Sequence, residues 1–274
     1  MKKIIVWLLL VSMLAALCGC DQEMPGQETT PTVETAPTQV SAAIEGPGFD
    51  SPEDAILAYA MALQKGDLRE ILSTFAVETY VDNYDLEAYL ENTSAYTVAV
   101  QQPLPSADAY TRELNRMARQ YHITRNLTYM YMGLGQVENY VSPIPFNGDP
   151  YEEPAQLVAA LTNDNWMDTL AKLETGKVLR LEDLFEKSEQ MYASLEGQRK
   201  YLHCEELVPL ALEVTIDTQR YYLCVDAACY NGRWYNCNFF GSIGVYLGLY
   251  HEFHKLLEFS IPEYYYRLYQ WNPG

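Results

Sequence analysis

A chain of 274 residues with 37 acidic against 18 basic side chains carries a formal net charge of −19. Such a surplus is repelled by nucleic acid and by anionic membrane surfaces, and no Lys/Arg cluster interrupts it, so nucleic acid drops out as a partner. The 23 tyrosines against 8 phenylalanines point to amphipathic packing at the edges of a core.

The first element is a leader. Lys2 and Lys3 precede an apolar run from Ile4 to Leu17, and a charged n-region ahead of a short apolar h-region is the pattern of a secretion signal. The run is about 14 residues, against the roughly 20 that a membrane-spanning helix needs. It closes on Leu17-Cys18-Gly19-Cys20, with a small residue directly ahead of a cysteine. This segment resembles the signal of bacterial lipoproteins. The resemblance implies a signal peptide over 1–19, lipidation at Cys20 with palmitate-type chains, and attachment to the cell membrane at its extracytoplasmic face. Each buried CH₂ adds about 0.8 kcal/mol, so two or more chains hold stably where one does not. Cleavage would remove Lys2 and Lys3 and leave a net charge of about −21.

Residues 20–48 read as the lipidated N-terminus and a disordered linker. Pro25, Pro31, Pro37 and Pro47 are interspersed with Thr and Glu, and neither a basic nor an aromatic residue occurs among residues 21–48. Too little apolar area is present to offset the entropy of folding. A coil of that length spans roughly 30 Å.

A single α+β domain is expected over 49–274. Ser51-Pro52-Glu53-Asp54 is a helix start, with a capping serine, a proline at the first helical position and acids in the first turn. Ile56, Tyr59, Ala60 and Leu63 follow at helical spacing, and Gly66 ends the helix. Leu68, Ile71, Leu72 and Phe75 predict a second helix, and Leu86 to Leu90 a short third. From Ala107 to about Gly133 neither Gly nor Pro intervenes, and Tyr110, Leu114, Met117, Tyr121, Leu127, Met130 and Leu134 recur mostly at threes and fours. One long helix is predicted, with room for a break at His122-Ile123-Thr124. Pro143 to Pro154 reads as a loop. Trp166, Leu170 and Leu173 predict a helix ending at Gly176, and Glu186 to about His203 another.

The period then changes to two. Val208, Leu210, Leu212, Val214 and Ile216 form one face of a half-buried strand, and Pro209 places it at a strand start or sheet edge. Tyr221–Tyr230 and Arg233–Phe240 are joined by Asn231-Gly232, the favoured two-residue hairpin turn. In a regular register Tyr230 pairs with Arg233, which sets Asn236 opposite Ala227, Asn238 opposite Val225, Cys224 opposite Phe239 and Cys237 opposite Asp226. Trp234, Asn236 and Asn238 then share the charge-poor face with Leu223 and Val225. Residues 241–259 read as a helix, followed by a tyrosine-rich tail.

The opening Ser51-Pro52-Glu53-Asp54-Ala55 through Gly66-Asp67 and the closing hairpin Tyr221–Val225 through Tyr230–Tyr235 resemble nuclear-transport-factor-2-like domains of secreted proteins. Residues 51–248 as a whole resemble lipoproteins of gut Firmicutes. The resemblance implies a curved antiparallel sheet packed on helices, to which this chain adds a large helical middle and a helical C-terminal tail.

Chemistry is sparsely signalled. His251 and His254 share a helix face at i, i+3, but no third ligand accompanies them, so neither a metal nor another cofactor is expected. Cys18 leaves with the signal and Cys20 takes lipid; Cys204, Cys224, Cys229 and Cys237 allow three full pairings, of which the regular register disfavours Cys224–Cys237 because the two are diagonal, and a reduced state stays open. Asp226, near Tyr222, Tyr230 and Tyr235, invites comparison with acid–base isomerases and cyclases of the same superfamily, which need a buried carboxylate of shifted pKa. The regular register puts it on the outer face near Arg233. The sequence therefore points to a non-enzymatic, lipid-anchored binding or interaction module of the cell envelope, with a small molecule or an envelope protein as partner. The alternative is an isomerase- or cyclase-like enzyme using a pocket in the α+β cone. Asn236, Asn238 and Trp234 are the candidate ligand-pocket residues.

Overall fold

The structure is a computed structural model that describes residues 42–93, 102–134, 155, 158–159, 165–185, 189–239, 241–246 and 256–258. Among the described residues four helices come first: α1 (Pro52–Lys65), α2 (Leu68–Ser73), α3 (Glu78–Asn83) and α4 (Leu86–Thr93). The long α5 (Ala109–Leu134) and the short α6 (Asn165–Leu170) follow. Then come β1 (Leu173–Arg180), α7 (Leu181–Leu184), α8 (Glu189–Leu202), β2 (Glu206–Ile216), β3 (Gln219–Tyr230), β4 (Arg233–Phe239), α9 (Gly241–Tyr246) and β5 (Leu256–Glu258). The expected start of α1 is present: the Asp54 N–H donates to Ser51 Oγ at 3.1 Å, Pro52 takes the first helical position and Gly66 ends the helix.

The strands form an antiparallel sheet in the order β1-β2-β3-β4. Short β5 lies beside Tyr221–Leu223 of β3, while β4 covers Val225–Tyr230. Two expectations fail here. Leu173–Arg180 is a strand rather than the end of a helix; Gly176 marks a register irregularity in it, against Glu213 of β2. Charged residues at 174 and 177 hide its alternation, and Leu170 and Leu173 are helically spaced only across the turn between α6 and β1. Of the helix expected over 241–259, Gly241–Tyr246 is helical, whereas residues 256–258 are extended because they pair with β3; the stretch between lies outside the described residues.

Both faces of the sheet are covered. On one, Ile56, Tyr59 and Leu63 of α1, Ile71 of α2 and Phe75 just after it pack onto Leu210, Leu212, Val214, Leu223, Val225 and Ala227, with Ile123 and Leu127 of α5 in the same cluster. On the other, Leu195 of α8 and Ile243 of α9 cover Ala211 and Cys224, while Tyr80, Leu202 and Cys204 enclose Ala228, Tyr230, Tyr235 and Cys237. An antiparallel sheet can leave one face to solvent; here the second face is buried around Ala211, Cys224, Asp226 and Ala228, while Glu213, Thr215 and Tyr222 farther along it are partly exposed.

The free edge of β4 is closed by two pieces of chain. Phe49 and Trp234 exchange N–H···O bonds of 2.9 Å, and Asn236 bonds Thr74 O and Ala76 N–H at 3.0 and 2.9 Å. Such cover blunts an edge that would otherwise template aggregation. The folded unit also begins before residue 49. Ile44 and Glu45 donate their N–H groups to the Glu78 carboxylate, and the Glu45 carboxylate accepts from Val77 and Thr79 N–H at 2.6 and 2.9 Å.

Helix α5 is continuous through His122-Ile123-Thr124. It is fixed to the β4 edge by Arg119, buried to 6% exposure, whose guanidinium donates to Ala76 O at 3.1 Å and to Cys237 O and lies 4.0 Å over the Tyr80 ring. Leaving two buried carbonyls without their donor and removing a cation–π contact should cost about 2–4 kcal/mol. Arg119→Leu should lower the urea midpoint accordingly with an unchanged slope; a midpoint equal to the parent's would show that α5 is held by other contacts.

Candidate functional site

The hairpin turn forms as expected, with Asn231 (φ 52°) and Gly232 (φ 71°) both left-handed. Pairing runs regularly from Tyr230↔Arg233 to Ala227↔Asn236. It then slips by one residue: Asn238 lies opposite Asp226 and Phe239 opposite Val225. Cys237 is the extra residue of a β-bulge. The regular register is thereby corrected for every pair beyond Asn236. The physical reason is aromatic. The slip carries Phe239 onto the main core, where it stacks on Phe75 at 4.7 Å and meets Tyr59 edge-on at 6.1 Å.

The three residues expected to line a pocket are thus separated. Trp234 is half-buried against the main core. Asn236 is fully buried on that face, and its Nδ2 donates to Ala55 O at 2.8 Å and Thr74 O at 3.2 Å. Its Oδ1 has no hydrogen-bond partner among the described residues, so Nδ2 is the half of the amide that holds the fold. Asn238 turns to the opposite face and donates to Asp226 Oδ2 at 3.1 Å and to Gln198 Oε1 at 3.4 Å.

Asp226 is not a surface group. It is 1% exposed, because α8 and α9 cover the face that the sequence reading left to solvent. The Ser242 N–H donates to its Oδ1 at 2.7 Å, so the carboxylate caps α9 from a distant strand. Gly241 has φ +49°, and a Cβ there would lie 2.4 Å from Asp226 Oδ1; only glycine lets the helix approach this closely. Burial pushes the carboxyl up to about 6, against the lowering effect of the Ser242 and Asn238 hydrogen bonds. Burial likewise raises the thiol of Cys237 to about 11 and that of Cys204 to about 12. All four cysteines of the domain are buried free thiols, which answers the pairing left open above. His251 and His254 lie outside the described residues, and among the described residues no cluster of His, Cys, Asp or Glu could hold a metal.

Among the described residues an open groove lies elsewhere, and sequence reasoning missed it. β1 ends at Arg180, opposite Leu210, and turns into α7. Glu206–Pro209 of β2 therefore extend past it and border a groove of about 310 Å³ against α8, within the range of small-molecule sites. Leu181, Leu195, Leu207, Pro209 and Tyr192 are its apolar and aromatic lining. Its two arginines are engaged: Arg180 with Glu53 at 2.6 Å, Arg199 with Glu196 at 2.7 Å. Glu182, Glu205 and Glu206 leave the rim negative, which favours a neutral or cationic ligand over an anion. Pro209 brings no N–H to this stretch and hinders addition of a further strand. The groove arises from a mismatch of strand lengths; no local motif announces it.

No protein-family model matches the chain, and no curated protein matches it. Among solved structures it is similar to a cystatin-like protein from Ruminococcus gnavus, with a TM-score of 0.43 and 16% identity over 68% of this chain and 39% of that one. The chain thus spans well under half the length of that protein.

The Asp226 environment sets a pH dependence. The folded carboxyl titrates at about 6 against an ordinary 3.8, so between about pH 4 and 6 the folded state holds a proton that the unfolded chain has released. Its contribution to stability falls as pH rises through that window, by on the order of 3 kcal/mol, and is flat above it. Subtracting the stability profile of Asp226→Asn from that of the parent should isolate this slope; superimposable profiles from pH 4 to 7 would contradict the burial of the charge.

Proposed function

We propose that the protein is a lipid-anchored, extracytoplasmic binding module of the cell envelope, built on a nuclear-transport-factor-2-like scaffold and non-enzymatic. The observation that carries the anchoring is the run Leu17-Cys18-Gly19-Cys20 behind a basic n-region and a short apolar segment. Among the described residues no helix is long and apolar enough to cross a membrane, so Cys20 is the attachment point this reading requires. A helix laid across an antiparallel meander that closes in a hairpin supports the scaffold reading, and the additional cover on the second face is this chain's departure from it.

The groove between α8 and the start of β2 is the proposed binding surface, for a neutral or cationic small molecule or a side chain of an envelope protein. One observation favours the acid–base alternative: a buried carboxyl that titrates near 6. Its engagement with Ser242 and Asn238, and its absence from the groove lining, support a capping role instead.

Cys20→Ala should move the protein from the membrane to the soluble fraction. Membrane-bound Cys20→Ala protein that withstands salt washing would defeat the anchoring. The binding half is read by mass spectrometry of small molecules retained through purification. A species held by the parent and released by Glu206→Lys supports the groove; the same species retained by that variant places the site elsewhere.

A further inference from the structure

Helix α5 is oriented contrary to its hydrophobicity. The side it turns to the fold in its first three turns is polar: Asn115, Arg116 and Arg119 are 5–6% exposed. Asn115 clamps the main chain of Leu104 through both its amide oxygen and nitrogen, and Arg116 bonds Glu113 and Glu78. The opposite side carries Tyr110, Leu114, Met117 and Tyr121, which are 67%, 47%, 59% and 62% exposed. At 100° per residue these four fall within about 60° of one another on the helix, so they make one stripe about 17 Å long. Arg125 and Thr128, both exposed, end it on the C-terminal side.

Two properties of the stripe identify what covers it. The first is symmetry. The spacings are four, three and four, and the order is aromatic, aliphatic, aliphatic, aromatic. Reversing the helix about the midpoint between Asn115 and Arg116 returns the same pattern: Tyr110 exchanges with Tyr121 and Leu114 with Met117. A surface that is its own complement under a two-fold rotation is what an isologous dimer requires, and a 4-3-4 apolar spacing is the seam of paired helices. The second is size. Taking about 200 Å² for each whole side chain, the exposed portions give roughly 450 Å² per copy. Two copies then bury about 900 Å² from these four residues alone, close to the lower bound of specific interfaces before the rim is counted.

Charge does not oppose this contact, even in so acidic a chain. The ionic groups beside the stripe are engaged within one copy: Glu113 with Arg116 at 2.8 Å, and Arg125, which donates to Tyr121 Oη at 3.2 Å. The surplus of acids elsewhere is screened beyond about 8 Å at physiological salt.

We propose that α5 is a homodimerisation helix: two copies of this chain pack antiparallel through Tyr110, Leu114, Met117 and Tyr121, with Leu114 of each copy against Met117 of the other. This interface is independent of the groove and of the lipid anchor.

The test is the mass, by sedimentation velocity, of the full chain extracted in mild detergent, with circular dichroism as a control for folding. The parent should be a dimer. Leu114→Glu and Met117→Lys, each alone, bury an unpaired charge in the seam and should weaken association at least about a hundredfold, giving monomers with unchanged helix content. The double variant Leu114→Glu/Met117→Lys should recover the dimer, because the antiparallel register sets each Glu against a Lys, whereas a parallel register would set like against like. A parent monomeric at high micromolar concentration overturns the proposal, whether the stripe is then covered by another segment of the chain or by a different protein. So do single variants that stay dimeric, and so does a double variant that stays monomeric.

Discussion

One surplus residue in β4 governs the architecture. Asn236 is held in place by main-chain bonds to the Thr74–Ala76 segment and by its amide on Ala55 O. Two residues on, Asn238 must meet Asp226, and Phe239 must enter the core against Phe75 and Tyr59. A regular strand cannot do both, since alternate side chains point to opposite faces. Cys237 is therefore bulged out of the ladder. The aromatic trio closes the main core on one side, and Asp226 with Asn238 faces the other.

That second face is the feature that distinguishes this sheet. Where it is covered, its polar groups are driven to pair inside the protein, because an unpaired buried group costs a few kcal/mol; Tyr230 Oη is the exception on this face among the described residues. The pairings that result are tertiary ties. Asp226 fixes α9, Arg119 fixes α5 to the β4 edge, and Asn238 reaches Gln198 of α8. Each commits a polar side chain to holding a helix to the sheet. The open groove instead forms where β2 outruns β1, away from these ties.

Legibility followed the local signals. The cap at Ser51, the alternation of Val208–Ile216 and the Asn231-Gly232 turn involve neighbours in sequence, and each is found as read. The bulge is not local. Its cause is the pull of Phe75 and Tyr59, more than 150 residues away, on Phe239, and an alternation pattern contains no term for it. The surface placement of Asp226 inherited that register and also assumed one solvated face. The strand at Leu173–Arg180 was masked by charges at outward positions, and β5 exists only because β3 offers an unfilled edge. In α5 the apolar spacing revealed a helix but not its orientation, because arginine and asparagine side chains are satisfied on the inner side by carbonyls and carboxylates. The candidate pocket shared the register's fate: Asn236 and Asn238 differ by two in number and face opposite ways.

The fold requires both faces of the sheet to be closed around this bulge, and residue-resolved native-state hydrogen exchange tests that closure most directly. The Asn236 amide, bonded to Thr74 O, reports the main core, and the Ser242 amide, bonded to Asp226, reports the second face. Both should exchange only through global unfolding, with the same free energy and the same denaturant dependence as the Val225–Ala228 amides of β3. Protection at Asn236 together with free exchange at Ser242 would mean that the second face is open, and would contradict the structure built on it.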